Sequence, residues 1–362
     1  MIKYVVDKDI LRENISIIKS LAGTTPVIAV LKCNGYGLGT VELAKFLLYR
    51  GIEIFGVSDL SEALTLRKAG ILNEIILLSS NAVPEDNEKI VENDIIATVG
   101  STDAAKALDE AGKKLGKTPK AHIKINTGMG RYGFNCEDLL WVNELKKTEI
   151  EFCGTFTHFS FSFSKDEKDV SNQLAKFKTC IKKLRQAGFE TGVVHAANSH
   201  AFLKYPKTHL DAVRVGSAFL GRVNGAKAYG LKPVGFLESK VSDINHLKKG
   251  ENIGYGNTYK AKRDMKIAIV PVGFYNGYGT EKSRDTFRIR DILRYILSDI
   301  IPKKKHVKIN GNAYKLVGRV ATLNVIADVT GSDVKPGDKV VLSANPLLVD
   351  SGVEREFRGL DL

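Results

Sequence analysis

Eight short apolar runs that recur between residues 25 and 221 constrain the fold more than any other feature of this sequence. The runs are rich in β-branched residues and alternate with amphipathic stretches, as is typical of βα units repeated around a parallel sheet. They are VIAVLK (27–32), IEIFGVS (52–58), EIILLSS (74–80), IIATVGS (95–101), AHIKINT (121–127), EFCGTFTHFS (151–160), VVHAANS (193–199) and AVRVGSAFLG (212–221). Eight strands within about 200 residues favour a closed (β/α)8 TIM-like barrel, with a doubly wound open sheet as the structural alternative.

The pattern changes after Gly221. Strand-like runs such as MKIAIVPVGF and DKVVLSA are now separated by Gly, Lys and Asn turns, with little helical periodicity. An amphipathic helix at 284–301 is the one exception, because its apolar residues have helical spacing. We therefore predict an N-terminal barrel over residues 1–230 and a C-terminal, mostly-β domain over residues 231–362.

Composition argues against several other classes of protein. The net charge is +13, but the lysines are scattered rather than gathered in a stripe with aromatic residues, so a basic surface is expected and not a nucleic-acid partner. No apolar run approaches the roughly 20 residues of a membrane helix. The spacing of Cys33, Cys136, Cys153 and Cys180 suggests neither a disulfide framework nor a metal site. A cytoplasmic protein is therefore expected.

Reactive side chains accumulate where the predicted barrel strands end. Each has a plain structural alternative, such as a surface charge, a hydrogen-bonded core histidine or a helix cap. Active sites of β/α barrels form at the carboxyl ends of the strands, so the accumulation matters more than any single residue. The residues are Lys32, Lys124, Arg131, His158, Ser199 and Arg214.

Several segments, taken in order along the chain, resemble the alanine racemase family. They are AVLKCNGYGLG (29–39), KINTGMGRYGF (124–134), GTFTHFS (154–160), HAANS (195–199), RVGSAFLG (214–221), GENIGYGNTY (250–259) and VGRV (317–320). The resemblance implies a barrel followed by a β domain, the cofactor pyridoxal 5′-phosphate, and racemisation of L- and D-alanine. Such a reaction needs an electron sink for the weakly acidic Cα proton, and this cofactor is one.

The resemblance also assigns the two bases. Lys32 would hold the cofactor as a Schiff base and act on one face of Cα. Tyr255 would act on the other face and come from the partner subunit, which implies a head-to-tail homodimer with shared active sites. His158 and Arg214 would support the tyrosine. Arg214 would also face the pyridine nitrogen and keep it unprotonated, because a guanidinium cannot give up its proton.

The remaining residue roles follow from the same resemblance. Arg131 and Thr322 are expected to bind the substrate, and Lys124 is expected to be carbamylated, as in many members of the family. The cofactor is expected to contact Tyr36, Asn198, Ser199 and Gly216, in addition to Lys32 and Arg214.

Departures from the family pattern cluster around substrate recognition. Phe274 and Phe357 replace tyrosines, Ala321-Thr322-Leu323 replaces a Cys-Met-Asp run, and Asn126 replaces an aspartate. The inserted segment 284–305 resembles the catalytic portion of serine/alanine racemases associated with glycopeptide resistance. Serine or a broader range of amino acids therefore stays open beside alanine.

Two rival functions also stay open at this point. A pyridoxal-phosphate decarboxylase has the same architecture, but Arg214 and Tyr255 argue against it. A non-catalytic pyridoxal-phosphate carrier lacks the β domain that carries Tyr255.

Overall fold

The computed structural model describes residues 2–164, 166–280 and 305–360, together with residues 289, 292, 293, 296 and 297. The helix predicted over 284–301 lies almost entirely outside the described residues and stays a prediction, as does the role of the segment 284–305. Contacts within the chain divide it into two units. One comprises residues 9–233, and the other comprises residues 1–8 and 234–362.

The strands, in chain order, are β1 (Lys3–Asp7), β2 (Val27–Val30), β3 (Ile54–Val57), β4 (Ile75–Ser80), β5 (Ile96–Val99), β6 (Lys120–Lys124), β7 (Glu151–Phe156), β8 (Val193–His195), β9 (Val213–Val215), β10 (Phe236–Lys240), β11 (Asp243–Leu247), β12 (Asn252–Ile253), β13 (Tyr259–Lys260), β14 (Met265–Val270), β15 (His306–Ile309), β16 (Asn312–Val317), β17 (Val325–Asp328), β18 (Lys339–Leu342) and β19 (Glu354–Arg358). The helices are α1 (Lys8–Ala22), α2 (Lys32–Tyr36), α3 (Thr40–Leu48), α4 (Leu60–Lys68), α5 (Pro84–Glu92), α6 (Thr102–Leu115), α7 (Leu140–Leu145), α8 (Lys168–Gln186) and α9 (Ser199–Lys204).

The unit of residues 9–233 is a barrel of eight parallel strands in the order β8-β7-β6-β5-β4-β3-β2-β9. A parallel bridge between His195 and Ala212 joins the two ends of this sheet. Each strand overlaps one of the eight predicted runs, so the barrel prediction is confirmed and the doubly wound alternative is wrong.

Helix α6 illustrates how the local sequence builds the outer layer of the barrel. Ser101 caps its start, where the hydroxyl oxygen accepts a hydrogen bond from Ala104 N at 3.1 Å. Gly116 ends it in a left-handed conformation (φ 64°) that favours glycine. Its buried face includes Ala104, Leu108 and Ala111, which share one side of the helix. Within the part of the chain that the structure describes, no helix is long and apolar enough to cross a membrane.

The second unit contains a nine-stranded sheet in the order β11-β14-β17-β16-β15-β18-β10-β1-β19. Strand β1 lies inside this sheet, antiparallel to β10 and parallel to β19. Tyr4 of β1 is fully buried, and its hydroxyl donates to Val234 O at 2.8 Å. The predicted boundary at residue 230 puts the first residues in the barrel. Contacts group them with the C-terminal strands instead, because β1 finds both of its pairing partners there.

The structure contains one disulfide among its described residues, between Cys136 and Cys180, with Cα atoms 5.5 Å apart. The expectation that the cysteines form no disulfide is therefore wrong. Cys136 lies between β6 and α7, and Cys180 lies on α8. Pairing depends on the distance between Cα atoms in the fold, which a sequence separation of 44 residues does not reveal.

We expect reduction of this disulfide to lower the free energy of unfolding by about 2–4 kcal/mol, because the crosslink restricts the unfolded chain. Urea unfolding of the protein with and without a phosphine reductant measures the difference. A count of the reactive thiols in urea checks the pairing itself. Cys33 and Cys153 alone should react before reduction, and all four cysteines should react after it. Four reactive thiols without reductant would contradict the pairing.

Candidate active site

Lys32 follows the end of β2 and begins a turn with an unusual backbone. Cys33, Asn34 and Tyr36 all have positive φ, at 57°, 53° and 54°. Such a conformation costs about 1–3 kcal/mol at a non-glycine residue and persists only where the surroundings hold it. Here the Asn34 Oδ1 atom accepts a hydrogen bond from Thr40 N at 3.0 Å and closes the turn. The turn holds Lys32 at the carboxyl end of the barrel, where barrel active sites form.

Ser199, Gly216 and Tyr36 form a small polar cradle near the carboxyl ends of β8 and β9. Ser199 Oγ accepts hydrogen bonds from Gly216 N at 3.0 Å and Ala218 N at 3.4 Å, so its own proton is left to donate. A Cβ atom at residue 216 would lie 2.6 Å from the Tyr36 hydroxyl oxygen, so only glycine fits there. Burial raises the pKa of Tyr36, which keeps its hydroxyl protonated. Asn198 caps α9 beside this cradle.

Arg214, at the centre of β9, is buried and anchored by the surrounding strands. Its Nη1 atom donates to His195 Nδ1 at 2.7 Å, and its Nη2 atom donates to Thr157 O at 2.6 Å and Ala196 O at 2.9 Å. Burial lowers the pKa of Arg214 to about 9, so the guanidinium stays charged at neutral pH. Its Nε atom makes no hydrogen bond to any described residue. One N–H of a fixed cation is therefore left for a ligand.

Lys124 is a buried lysine for which the described residues offer no carboxylate. Its Nζ atom lies 4.1 Å from the centre of the Phe156 ring. Burial lowers the pKa of Lys124 well below its ordinary value, and the charges of Arg214 and Arg131 lower it further. Burial also lowers the pKa of His158, and the charges of neighbouring cations, first that of Arg214, lower it further. His158 is therefore neutral at neutral pH, and the site as a whole attracts anions.

The loop after β6 carries Arg131. Asn126 Oδ1 accepts hydrogen bonds from Gly128 N at 3.0 Å and Gly130 N at 3.1 Å, which folds the loop back on itself. A carbonyl oxygen suffices for this, so asparagine can replace the family's aspartate here without loss of the turn. An open cavity of about 340 Å³ adjoins the loop, and Ser80 and Arg131 are among its lining residues.

The remaining predicted residues belong to the second unit. Tyr255 lies in a short turn and is 77% exposed, and its hydroxyl makes no hydrogen bond within the described chain. Thr322 is exposed, and its carbonyl accepts from Tyr275 N at 3.0 Å. Phe274 is exposed, whereas Phe357 lies in β19 opposite Val6. Tyr255 and Thr322 are therefore in a different unit from the barrel residues.

Two buried histidines near Arg214, His195 and His122, have no role predicted from the sequence. His195 was noted only as part of HAANS, and His122 only as part of a strand-like run. The structure joins their rings by a contact of 2.9 Å between His122 Nδ1 and His195 Nε2. The only signal in the sequence is their position in apolar strands, where a histidine needs a polar partner.

Comparison with known proteins agrees with this architecture. The family model for the alanine racemase N-terminal domain matches residues 6–223, and the model for the C-terminal domain matches residues 234–351. The alanine racemase of Clostridium perfringens is 35% identical over 98% of this chain and 89% of its own length. That of Methanococcus maripaludis is 32% identical over 93% of this chain and 87% of its own length.

Solved structures give the same result. The alanine racemase of Clostridium difficile superimposes with a TM-score of 0.85 and 27% sequence identity, over 99% of this chain and 95% of that one. The alanine racemase of Bacillus anthracis, solved with bound L-Ala-P, has a TM-score of 0.80 and 26% identity, over 99% of this chain and 95% of that one. The chain belongs to the alanine racemase family.

Proposed function

We propose that this protein is a pyridoxal-phosphate-dependent racemase that interconverts L- and D-alanine. The observation that carries the proposal is Arg214, a buried cation with one N–H left for a ligand. A guanidinium in front of the pyridine nitrogen cannot protonate it, which favours racemisation over reactions that need a stronger electron sink. This also argues against a decarboxylase. The relatives named alanine racemase, and the one solved with bound L-Ala-P, support alanine as the substrate.

The residues of the barrel fit the cofactor. The cradle of Ser199, Gly216 and Tyr36 offers hydroxyl donors for a phosphate, with Asn198 beside it. Lys32 supplies the amine that attaches the cofactor. Arg214 Nε would donate to the pyridine nitrogen of the bound cofactor. Once bound, pyridoxal phosphate stabilises the negative charge that develops on Cα of the amino acid.

Two bases then move the Cα proton. The Lys32 amine takes or returns it on one face, and the Tyr255 phenol does so on the other. We propose that Tyr255 comes from the partner subunit of a head-to-tail homodimer. Its high exposure supports this, because an exposed phenol whose hydroxyl makes no hydrogen bond to the described residues is available to a second chain. Neutral His158 and charged Arg214 would stabilise the phenolate, and Arg131 and Thr322 would bind the substrate.

A chiral assay tests the function as a whole. Purified protein with added pyridoxal phosphate should convert L-alanine to D-alanine and the reverse, faster than it converts serine or any other of the twenty amino acids. A higher rate with serine would make serine the preferred substrate, and the protein would still be an amino-acid racemase. No racemisation of any amino acid by protein that has bound the cofactor would overturn the proposal.

Lys124 is expected to carry a carbamate. Its lowered pKa favours the neutral amine, which attacks CO2 to form a carbamate and release one proton. The negative charge of the carbamate then offsets the positive charge of the nearby Arg131, in a site that otherwise contains cations. We expect a carbamate carbon signal in NMR spectra of protein equilibrated with ¹³C-bicarbonate.

The Lys124→Ala variant should lose that signal, and its KM for alanine should rise by about tenfold or more as Arg131 loses a charge-assisted partner. Lys120→Ala is the matched control, because Lys120 is exposed at the other end of the same strand, β6. A carbamate signal that persists in Lys124→Ala would contradict the assignment.

A further inference from the structure

Three buried side chains form a chain of hydrogen bonds with only one possible order of donors. Arg214 Nη1 lies 2.7 Å from His195 Nδ1, and His195 Nε2 lies 2.9 Å from His122 Nδ1. A guanidinium has donors only, so His195 Nδ1 must accept. A neutral imidazole carries one proton, so that of His195 is on Nε2 and is donated to His122 Nδ1. The proton of His122 is then on Nε2.

Burial keeps both histidines neutral, so this order does not change near neutral pH. His195 is fully buried and His122 is 4% exposed. Desolvation and the charge of Arg214 lower the pKa of His122 to about 4. The same two causes, with smaller contributions from His122 and Lys124, lower the pKa of His195 well below its usual range.

Strand β7 holds both rings in place. Phe156 stacks on His195 with ring centres 4.9 Å apart and planes 7° apart. Gly154, two residues earlier on the same face of the strand, faces His122, and a Cβ atom there would lie 2.5 Å from His122 Nε2. Both rings therefore pack against β7, which keeps the two histidines in contact.

We propose that His122 is a positioning residue for Arg214 and acts through His195. The proposal rests on the proposed function, because its purpose is to aim Arg214 Nε at the cofactor nitrogen. By accepting the proton of His195 Nε2, His122 holds the His195 ring in the orientation in which Nδ1 accepts from Arg214. Without that acceptor, the Nε2–H group of His195 has no partner and faces the space that the His122 ring has left, so the His195 ring can tilt towards it and draw Nδ1 away from the guanidinium.

The backbone carbonyls of Thr157 and Ala196 also hold Arg214, so loss of His122 should displace the guanidinium rather than release it. A displaced Arg214 protects the pyridine nitrogen from protonation less well. The expected consequence is more transamination, in which alanine and the cofactor aldehyde exchange amino group and carbonyl oxygen and pyruvate leaves. Outer partners that orient a reactive group typically contribute about 10–100-fold.

The test compares His122→Ala with His122→Asn, whose side-chain oxygen can replace Nδ1 as the acceptor. Nitrogen-15 NMR of histidine-labelled protein without cofactor should show His195 protonated on Nε2 in all three proteins, because Arg214 fixes that tautomer. The signals of the His195 Nε2–H group should stay near their wild-type positions in His122→Asn and should move in His122→Ala, where its hydrogen bond is lost. With cofactor, the ratio of pyruvate released to alanine racemised should rise about tenfold in His122→Ala and stay near the wild-type value in His122→Asn.

A wild-type His195 protonated on Nδ1 would overturn the proposal. This measurement does not depend on whether either variant folds. Unmoved signals of the His195 Nε2–H group together with an unchanged pyruvate ratio in folded His122→Ala would also overturn it. The NMR measurement uses protein without cofactor, so it stays decisive if the protein proves not to racemise alanine. The chiral assay of the wild type shows that separate failure.

Discussion

Replacing Lys32 with alanine is expected to lower kcat for alanine racemisation by at least about four orders of magnitude. The variant loses the amine that attaches the cofactor and, with it, one of the two bases, and general acid–base catalysis alone is worth about 10²–10⁴-fold. The visible absorbance of the purified protein should disappear on dialysis. Absorbance spectra and chiral assays, run on the same preparations, measure both effects.

The matched control is Lys178→Ala. Lys178 is an exposed lysine on α8, where alanine is a good helix former. It should keep both the absorbance and the activity. If Lys32→Ala retained bound cofactor after dialysis and a comparable kcat, another lysine would have to hold the cofactor. The assignment of the barrel mouth as the active site would then be wrong.

Replacing Tyr255 with phenylalanine is expected to separate the contributions of the two bases. The side chain is exposed, so removal of its hydroxyl should leave the stability and the absorbance unchanged. Racemisation should fall by about 10²–10⁴-fold, the usual contribution of one acid–base group. In deuterated water the α-proton of L-alanine should no longer exchange, whereas that of D-alanine, which Lys32 removes, should still exchange.

Tyr314→Phe serves as the control, since Tyr314 lies in β16 of the same unit and should affect neither exchange rate. Equal loss of exchange from both enantiomers in Tyr255→Phe would contradict the proposal that Tyr255 removes the α-proton of L-alanine only.

The shared active site has its own test. When inactive Lys32→Ala and inactive Tyr255→Phe are mixed under conditions that allow subunits to exchange, hybrid dimers should recover part of the activity. A mixture that exchanges subunits but stays inactive would argue against a tyrosine from the partner.

The barrel could be predicted because its signals are local. Each strand of β2–β9 is a short apolar run between amphipathic stretches, and neither signal depends on which strands pair. The candidate residues Lys32, Arg131 and Arg214 were found in the same way, from motifs near the ends of those runs. Parallel strands place their carboxyl ends at one mouth, so residues far apart in sequence could be expected to meet.

Contacts between distant segments were decided only by the tertiary structure. The place of β1 in the C-terminal sheet could not be predicted, because its two partners, β10 and β19, lie more than 200 residues away along the chain. The hydrogen-bonded chain from Arg214 through His195 to His122 depends likewise on closure of the barrel. The disulfide depends on how α8 lies against the loop after β6. A local pattern reports what each segment prefers, whereas hydrogen bonds and crosslinks need two segments within a few ångströms, and only the folded chain brings them that close.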